Sequence, residues 1–500
     1  MTTRKLWAGL AALLAASFAV LLWVGTEIHR QMPPLPAQVV TDQGDIVLTR
    51  DDIQTGRQVW QSIGGHQLGS IWGHGSYVAP DWTADWLQRE ARAWLDLMAR
   101  ERGAEGYDAL DTEVQASLRA RLQSRMRVNG YDAATDTLVI PAERAEAMAQ
   151  VRRHYTDLFG DEPAMVDLRR AYAMKNGTVA DPGHREQLAA FVWWSAWSAV
   201  TPRPGQEITY TANWPYDPVV GNEPPPHLLM WTVFSVLFLI AGIALLGWYY
   251  ATQREDLGHP VPATDPLASI KVTPSMRATA KYFWVVIALF LTQILLGALT
   301  AHYQVEGHDF YGIALSEYLP YSLTRTWHTQ LAVLWIATAW LGMGLYIGPA
   351  ISGHEPRFQR LGVNLLWVCL LVIVVGAFAG QWFAVMQKLG LQHNFWFGHQ
   401  GWEYVDLGRF WQWFLFAGLG IWLVLVGRCL VPAIRKGGEM RSITALLFLS
   451  TVAIGLFYGA GLMWGEHTHL SLVEYWRWWV VHLWVEGFFE VFATAVIAFL

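Results

Sequence analysis

Hydrophobic and polar residues follow three regimes along this chain. The first is short. MTTRKL gives a basic tip, and an apolar run follows it to about Ile28. That run is about 20 residues, enough to cross a bilayer, and GTEIHRQ is a poor small-residue cleavage site. A removable signal is the rival reading, but the pattern favours an uncleaved transmembrane helix over 1–29. The second regime, 30–225, holds most of the charge and many of the prolines. Stretches such as DWLQREARAWLDLMARE and EVQASLRARLQSRM carry apolar residues at helical spacing. They predict one soluble, largely helical domain, ended by prolines 224–226. In the third regime, 226–500, long apolar runs recur. They predict spans near 227–251, 281–301, 327–350, 361–386, 410–432, 443–465 and 476–500, about eight with the first helix. The fold expected is an all-α membrane protein, a polytopic bundle with a soluble domain inserted after its first helix.

The basic residues add an orientation. Arg4 and Lys5, then Arg254, Lys271, Arg277 and Lys281, then Arg357 and Arg360, then Arg428, Arg435, Lys436 and Arg441 all fall on one side if the spans alternate. That side should be the cytoplasm. The soluble domain then lies outside, in the periplasm of a Gram-negative bacterium, with the bundle in the inner membrane. Composition agrees with lipid as the main partner, since 53% of residues are hydrophobic and 15% charged. A net charge of −6 without a basic block gives no reason to expect nucleic acid. Cys369 and Cys429 both sit in apolar runs and read as core residues, and no CxxCH haem-attachment motif occurs. The final run is still apolar at Leu500, with no polar exit, which reads as a piece of a longer polypeptide.

Ionisable groups inside the apolar runs carry the candidate chemistry. HLWVEGFFE, 482–490, places His482, Glu486 and Glu490 at i, i+4 and i+8. At about 100° per residue they share an arc of roughly 80° on a regular helix. An unpaired charge near mid-membrane costs at least about 2.5–3.5 kcal/mol. The face must therefore meet a metal, a counter-ion or water, and a polar seam of neutral glutamates is the plain alternative. Imidazole plus carboxylate suits iron, zinc or manganese better than copper(I). In SLTRTWHTQL, His328 sits one turn into a span with Arg325 at its edge. The pair fits a haem axial ligand and a propionate contact, or equally a hydrogen-bonded histidine and an interfacial arginine. In LTAHYQVEGHDFYG, His302 and Glu306 are one turn apart at an outer helix end. They can bind a quinol and take its protons, or simply finish a helix. IWGHGSYVAPDW and GHQGWEYVDLGRF offer glycine-rich backbone and a carboxylate, which could hold calcium but also describe ordinary turns.

Together these segments resemble the quinol-dependent nitric oxide reductases of the haem–copper oxidase superfamily. HLWVEG is the most specific motif: related oxygen reductases bind copper there and commonly carry a tyrosine where Glu486 stands. The resemblance implies a haem–copper oxidase type bundle and a periplasmic cytochrome-c-like domain that lacks haem c. It implies His482 and Glu486 as ligands of a non-haem iron (FeB), and Glu490 as a neighbour in proton supply from the cytoplasmic side. It implies His328 as an axial ligand of haem b with Arg325 on its propionates, a haem b3 facing the iron, and His302 and Glu306 at the quinol. Glu403, with backbone oxygens of Gly75 and Tyr77, would bind calcium. The family also needs a His-His pair, a His-x-His and a further carboxylate on helices later than HLWVEGFFE, and the sequence stops at Leu500 before any such helix. The implied reaction is quinol-driven reduction of nitric oxide to nitrous oxide. A quinol-linked oxygen reductase and a metal-free transporter or proton channel are the rivals, and a homodimer is left open.

Overall fold

A computed structural model describes residues 3–253, 263–264, 266–438 and 440–499. Arg254, one of the basic residues used for orientation, lies outside the described residues. Among those described, eight helices are long and apolar enough to cross a membrane. They are α1 (Thr3–Gln31), α8 (Pro226–Gln253), α10 (Ala280–Glu306, led in by α9, Pro274–Ala278), α11 (Tyr321–Ser352), α12 (Gln359–Val385), α14 (Arg409–Lys436), α15 (Arg441–Gly459) and a last span that starts with α16 (Leu470–Trp478) and ends with α17 (Ala493–Phe499). The expected polytopic all-α bundle is thus present.

Burial ranks these spans. Half of the most apolar stretch of α11 is buried, whereas none of that stretch is in α1 or α8. A helix that is apolar all round and exposed in this way suits lipid contact. α11 packs on α10 and α14, and α15 packs on the last span. The aromatic side of that span anchors it: Trp422 of α14 meets Phe488 and Phe492, and Tyr458 of α15 meets Trp484. α1 closes on α16 where the Tyr475 hydroxyl donates to the Leu21 carbonyl at 2.9 Å.

Between α1 and α8 lies the soluble domain. It contains α2 (Arg50–Ser62), α3 (Trp82–Arg100), α4 (Thr112–Met126), α5 (Ala142–Phe159), α6 (Val166–Ala171) and α7 (Pro182–Val200). A small sheet, not expected from the pattern, joins β1 (Gln38–Thr41), β2 (Ile46–Thr49), β3 (Tyr131–Asp132) and β4 (Thr137–Ile140) in the order β2-β1-β4-β3. β1 runs parallel to β4, with Gln38 opposite Thr137, while the outer pairs are antiparallel. A capping box between Thr49 and Asp52 turns β2 into α2. α7 is buried continuously from Leu188 to Val200 and forms the domain's axis against α2, α3 and α5. Its core is aromatic, with Trp60, Trp82, Trp86, Trp94, Trp193, Trp194 and Trp197 all buried. Inside it lies an ion pair: Arg144 Nε donates to Glu90 at 2.6 Å, and Trp86 Nε1 donates to the other carboxylate oxygen at 2.8 Å.

The domain is seated on the bundle by backbone and side-chain bonds. His66 N–H donates to Gly401 O at 2.9 Å, Tyr321 N–H to Ala173 O at 3.2 Å, and His308 N–H to Arg170 O at 3.0 Å. Buried Arg57 of α2 donates to the carbonyls of Glu466 and Thr468, just before the last span. The approach is close: a Cβ on Gly65 (φ +53°) would lie 2.3 Å from Gly401 O. Glycine is required there because both the backbone angle and the space exclude a side chain.

Candidate functional site

The turn between α2 and α3 carries the first set of functional side chains. Asp81 is the N-cap of α3 and accepts from Ala84 N–H at 2.9 Å, while its second oxygen accepts from Gly73 N–H at 2.7 Å. One carboxylate therefore starts the helix and pins the glycine-rich turn that presents His74. Gly75 has φ +132°, and a Cβ on it would meet His66 O at 2.8 Å. The turn faces the loop between α13 (Leu391–Phe397) and α14, which carries His399, Glu403 and Asp406.

Two polar clusters meet at this junction. In the first, Arg325 of α11 bonds with one end of its guanidinium to Gln67 Oε1 and with the other to Glu403. His74 Nε2 stands 3.9 Å from the second Glu403 oxygen and bonds Arg477 of α16. Arg477 also donates to Glu474, at 2.8 Å from Nη2, and to the Glu403 carbonyl at 3.3 Å. Burial and the Arg477 charge hold His74 below the usual histidine range, so it is neutral and accepts from Arg477.

In the second, Asp406 is fully buried. Its Oδ2 accepts from Gln67 Nε2 at 2.9 Å and from Gln330 Nε2 of α11 at 3.0 Å. His399 Nε2 is 3.8 Å from Asp406 Oδ1, a distance that suggests an ion pair. The hydrogen bonds say otherwise. Thr326 Oγ1 donates to Ser322 O at 2.7 Å, so toward His399 Nε2, 2.8 Å away, it must accept. His399 Nδ1 accepts from Gly401 N–H at 2.9 Å. The ring is the neutral Nε2–H tautomer. Burial pushes it down to about 3, in agreement, and pushes Asp406 up to about 7.

Below the junction, His328 is set for ligation. Its Nδ1 donates to the Gln293 carbonyl of α10 at 3.0 Å, and its Nε2 makes no hydrogen bond among the described residues. That arrangement fixes the tautomer that offers Nε2 to a metal, as in most metal-binding histidines. Gly297 makes room: a Cβ there would lie 2.6 Å from the ring.

The last span brings together two of its three expected groups. His482 Nδ1 is 3.2 Å from Glu486 Oε1. The regular arc expected from an α-helix is not what forms. The backbone takes π-type turns over Trp479–Trp484 and Gly487–Phe492. Such bulges are rare and concentrate at functional sites. A wider turn changes where i+8 points. Glu490 is exposed, and its carboxylate makes no hydrogen bond or ion pair among the described residues. Trp478 stands edge-on to both His74, at 5.9 Å, and His482, at 6.2 Å, and so bridges junction and span.

His302 and Glu306 lie on the outer end of α10. The His302 ring sits against Phe310 and Tyr311 at 5.0 and 5.1 Å, and its Nε2 bonds Asp309 O at 2.9 Å. Glu306 is exposed and does not bond His302. Of the calcium candidates, the Glu403 carboxylate pairs with Arg325, while Gly75 and Tyr77 lie on the turn that presents His74. Among the described residues no three His, Cys, Asp or Glu side chains cluster as a metal site. The junction already supplies its own cations, so no step below is routed through calcium.

Sequence reasoning missed Gln67, His74, Asp406 and Arg477. The DLGRF of GHQGWEYVDLGRF held Asp406 three residues beyond Glu403, but no spacing rule points from it to Gln67.

Comparison with known proteins follows the same division. Residues 36–216 match the family model of the cytochrome c-like domain of the nitric oxide reductase subunit NorB, and residues 277–500 match that of cytochrome c and quinol oxidase polypeptide I. The N-terminal region is thus similar to a NorB cytochrome c-like domain, and residues 277–500 are similar to the polypeptide I domain of the haem–copper oxidases. Among characterised relatives it is similar to the corresponding nitric oxide reductase subunit of Stutzerimonas stutzeri, 27% identical over 226 residues, which are 45% of either chain. The aligned part thus spans about half the length of that relative.

Proposed function

We propose that this chain serves a quinol-dependent nitric oxide reductase: two NO, two electrons and two protons give N2O and water. One observation carries the reading. His482, in the first π-turn of a haem–copper oxidase type span, meets Glu486, between the two π-turns, at 3.2 Å, an imidazole nitrogen beside a carboxylate oxygen. This donor pair suits a non-haem iron (FeB), and its hard oxygen and negative charge disfavour copper(I). His328 Nε2 would hold haem b. Haem b3 and FeB, when bound, would supply electrons and two metal centres close enough for two NO to couple. The chain's own residues do the rest. His302, as the Nε2–H tautomer donating to Asp309 O, keeps Nδ1 free to accept a quinol hydroxyl proton, with Glu306 a turn away as second acceptor. Exposed Glu490 is a further proton carrier beyond Glu486, supplied from the cytoplasmic side.

The positive-inside pattern supports the soluble domain in the periplasm and the bundle in the bacterial inner membrane. Absence of CxxCH supports a membrane quinol rather than a haem c as donor. The polypeptide I match also suits an oxygen reductase, and the glutamate at 486 argues against that rival. The test is the purified membrane protein supplied anaerobically with quinol and NO. Bands of b-type haem, iron beyond the haem content and NO consumption are expected. Copper with steady oxygen uptake and no NO consumption would establish the oxidase, and a colourless, metal-free protein the transporter.

A further inference from the structure

Asp406 is the one fully buried carboxylate at the junction that contacts no cation directly, and the mechanism above does not use it. Its neighbours show what it does. An amide side chain has a donor end and an acceptor end, and nothing in its shape selects between two flipped orientations. Gln67 stands between Asp406 and Arg325. Asp406 Oδ2 can only accept, or in its protonated form still accepts at that oxygen, so it draws the Gln67 amino group at 2.9 Å. The carbonyl end then faces Arg325, which donates to it. Flipped, Gln67 would turn its amino group onto a guanidinium, donor against donor.

The same Oδ2 accepts from Gln330, five residues along α11 from Arg325. Arg325 and Gln330 bracket His328, so Asp406 holds both flanks of the segment that carries the haem-ligand candidate. The groups around Asp406 leave it free for this task. His399 is neutral and spends its Nε2–H on Thr326, Glu403 is paired with Arg325, and Asp406 Oδ1 makes no hydrogen bond.

We infer that Asp406 is a positioning residue: it sets the orientation of the Gln67 amide, and through it aims the Arg325 guanidinium one turn from His328. The consequence is electrostatic. Arg325 is the cation nearest along α11 to the haem-ligand candidate, and its placement sets how easily an electron is held there. This rests on His328 binding a low-spin haem, as proposed above, but not on NO being the substrate.

The experiment is a double-mutant cycle on the haem-loaded protein, read by the midpoint potential of the low-spin haem and by quinol-driven turnover. Asp406→Leu is expected to shift the potential and lower turnover about tenfold, the lower end of what loss of an outer-shell partner costs. Gln67→Leu should give the same shift from the other side of the junction. The double variant should shift no further than either single one, since both break one chain of contacts. Asp406→Asn keeps an acceptor oxygen for Gln67 and should restore the wild-type potential. Wild-type potential in Asp406→Leu, or single shifts that add in the double variant, overturns the inference. If Asp406→Leu fails to assemble, Gln67→Leu and Asp406→Asn decide it: no shift in the first, or a full shift in the second, refutes it. Failure of the NO reading looks different. A wild-type protein that reduces oxygen instead still has a low-spin haem on which the cycle is read.

Discussion

The soluble domain with its junction and the last span both gather ionisable groups in apolar surroundings, and they treat them in opposite ways. In the first region most buried charges meet a partner within the chain. Glu90 has Arg144 and Trp86, Glu403 has Arg325, and Arg477 has Glu474 and His74. In the second, His482 and Glu486 have each other and Glu490 has nothing among the described residues, while their side chains are half exposed. Closed clusters rigidify and specify a fold, and ionisable groups left open on a span are candidates for a functional site. The contrast separates architecture from chemistry without reference to any relative.

The largest effect should come from breaking a closed pair. Glu90→Ala leaves Arg144 buried and unpaired inside the tryptophan core. A loss of about 3–5 kcal/mol is expected, measured as denaturant unfolding of the soluble domain followed by tryptophan fluorescence. Glu90→Leu with Arg144→Met removes both charges and should recover most of that loss. If the double variant is as unstable as the single, the pair does more than neutralise itself.

The open pair should behave in reverse. Glu486→Ala is expected to leave unfolding nearly unchanged, because its side chain is 44% exposed and bonds only His482. It should lower NO turnover at least about 100-fold, or about 2.7 kcal/mol on the barrier, and lose non-haem iron while keeping low-spin haem. Unchanged iron content and turnover would remove Glu486 from the ligand set. A large loss of stability would remove the contrast itself.

How much of this was legible depends on the range over which each feature is encoded. The spans were, because a run of about 20 apolar residues has few other uses. The sheet was not: QVVT, IVLT and TLVI are four residues each, too short for alternation to register, and β3 is two. His482 and Glu486 were found because i, i+4 neighbours meet in an α-turn and still meet here. The π-turns were not, since no local pattern marks them, although Trp484, Phe488 and Phe492 within them pack against α14 and α15. Asp406 and Gln67 are 339 residues apart, and a buried carboxylate held by amides carries no local pattern.

The smallest effect sharpens the boundary between the two regions. Asp81 caps α3 with one oxygen and holds Gly73 N–H with the other, so it has a structural task and a site task at once. Asp81→Ala abolishes both and should cost about 1 kcal/mol, the usual value for a lost N-cap. Asp81→Asn separates them. Asparagine caps as well as aspartate, but it has one acceptor oxygen, and its amino group cannot accept from Gly73. Stability should therefore be nearly restored while the turn around His74 loosens, seen as faster amide hydrogen exchange at Gly73 and His74 than in the wild type. Because His74 bonds Arg477 and faces Glu403, a loosened turn should weaken quinol-driven turnover a few-fold at most. If Asp81→Asn restores stability and leaves both exchange and turnover at wild-type values, the cap alone explains Asp81, and the turn that presents His74 is held by its own glycines.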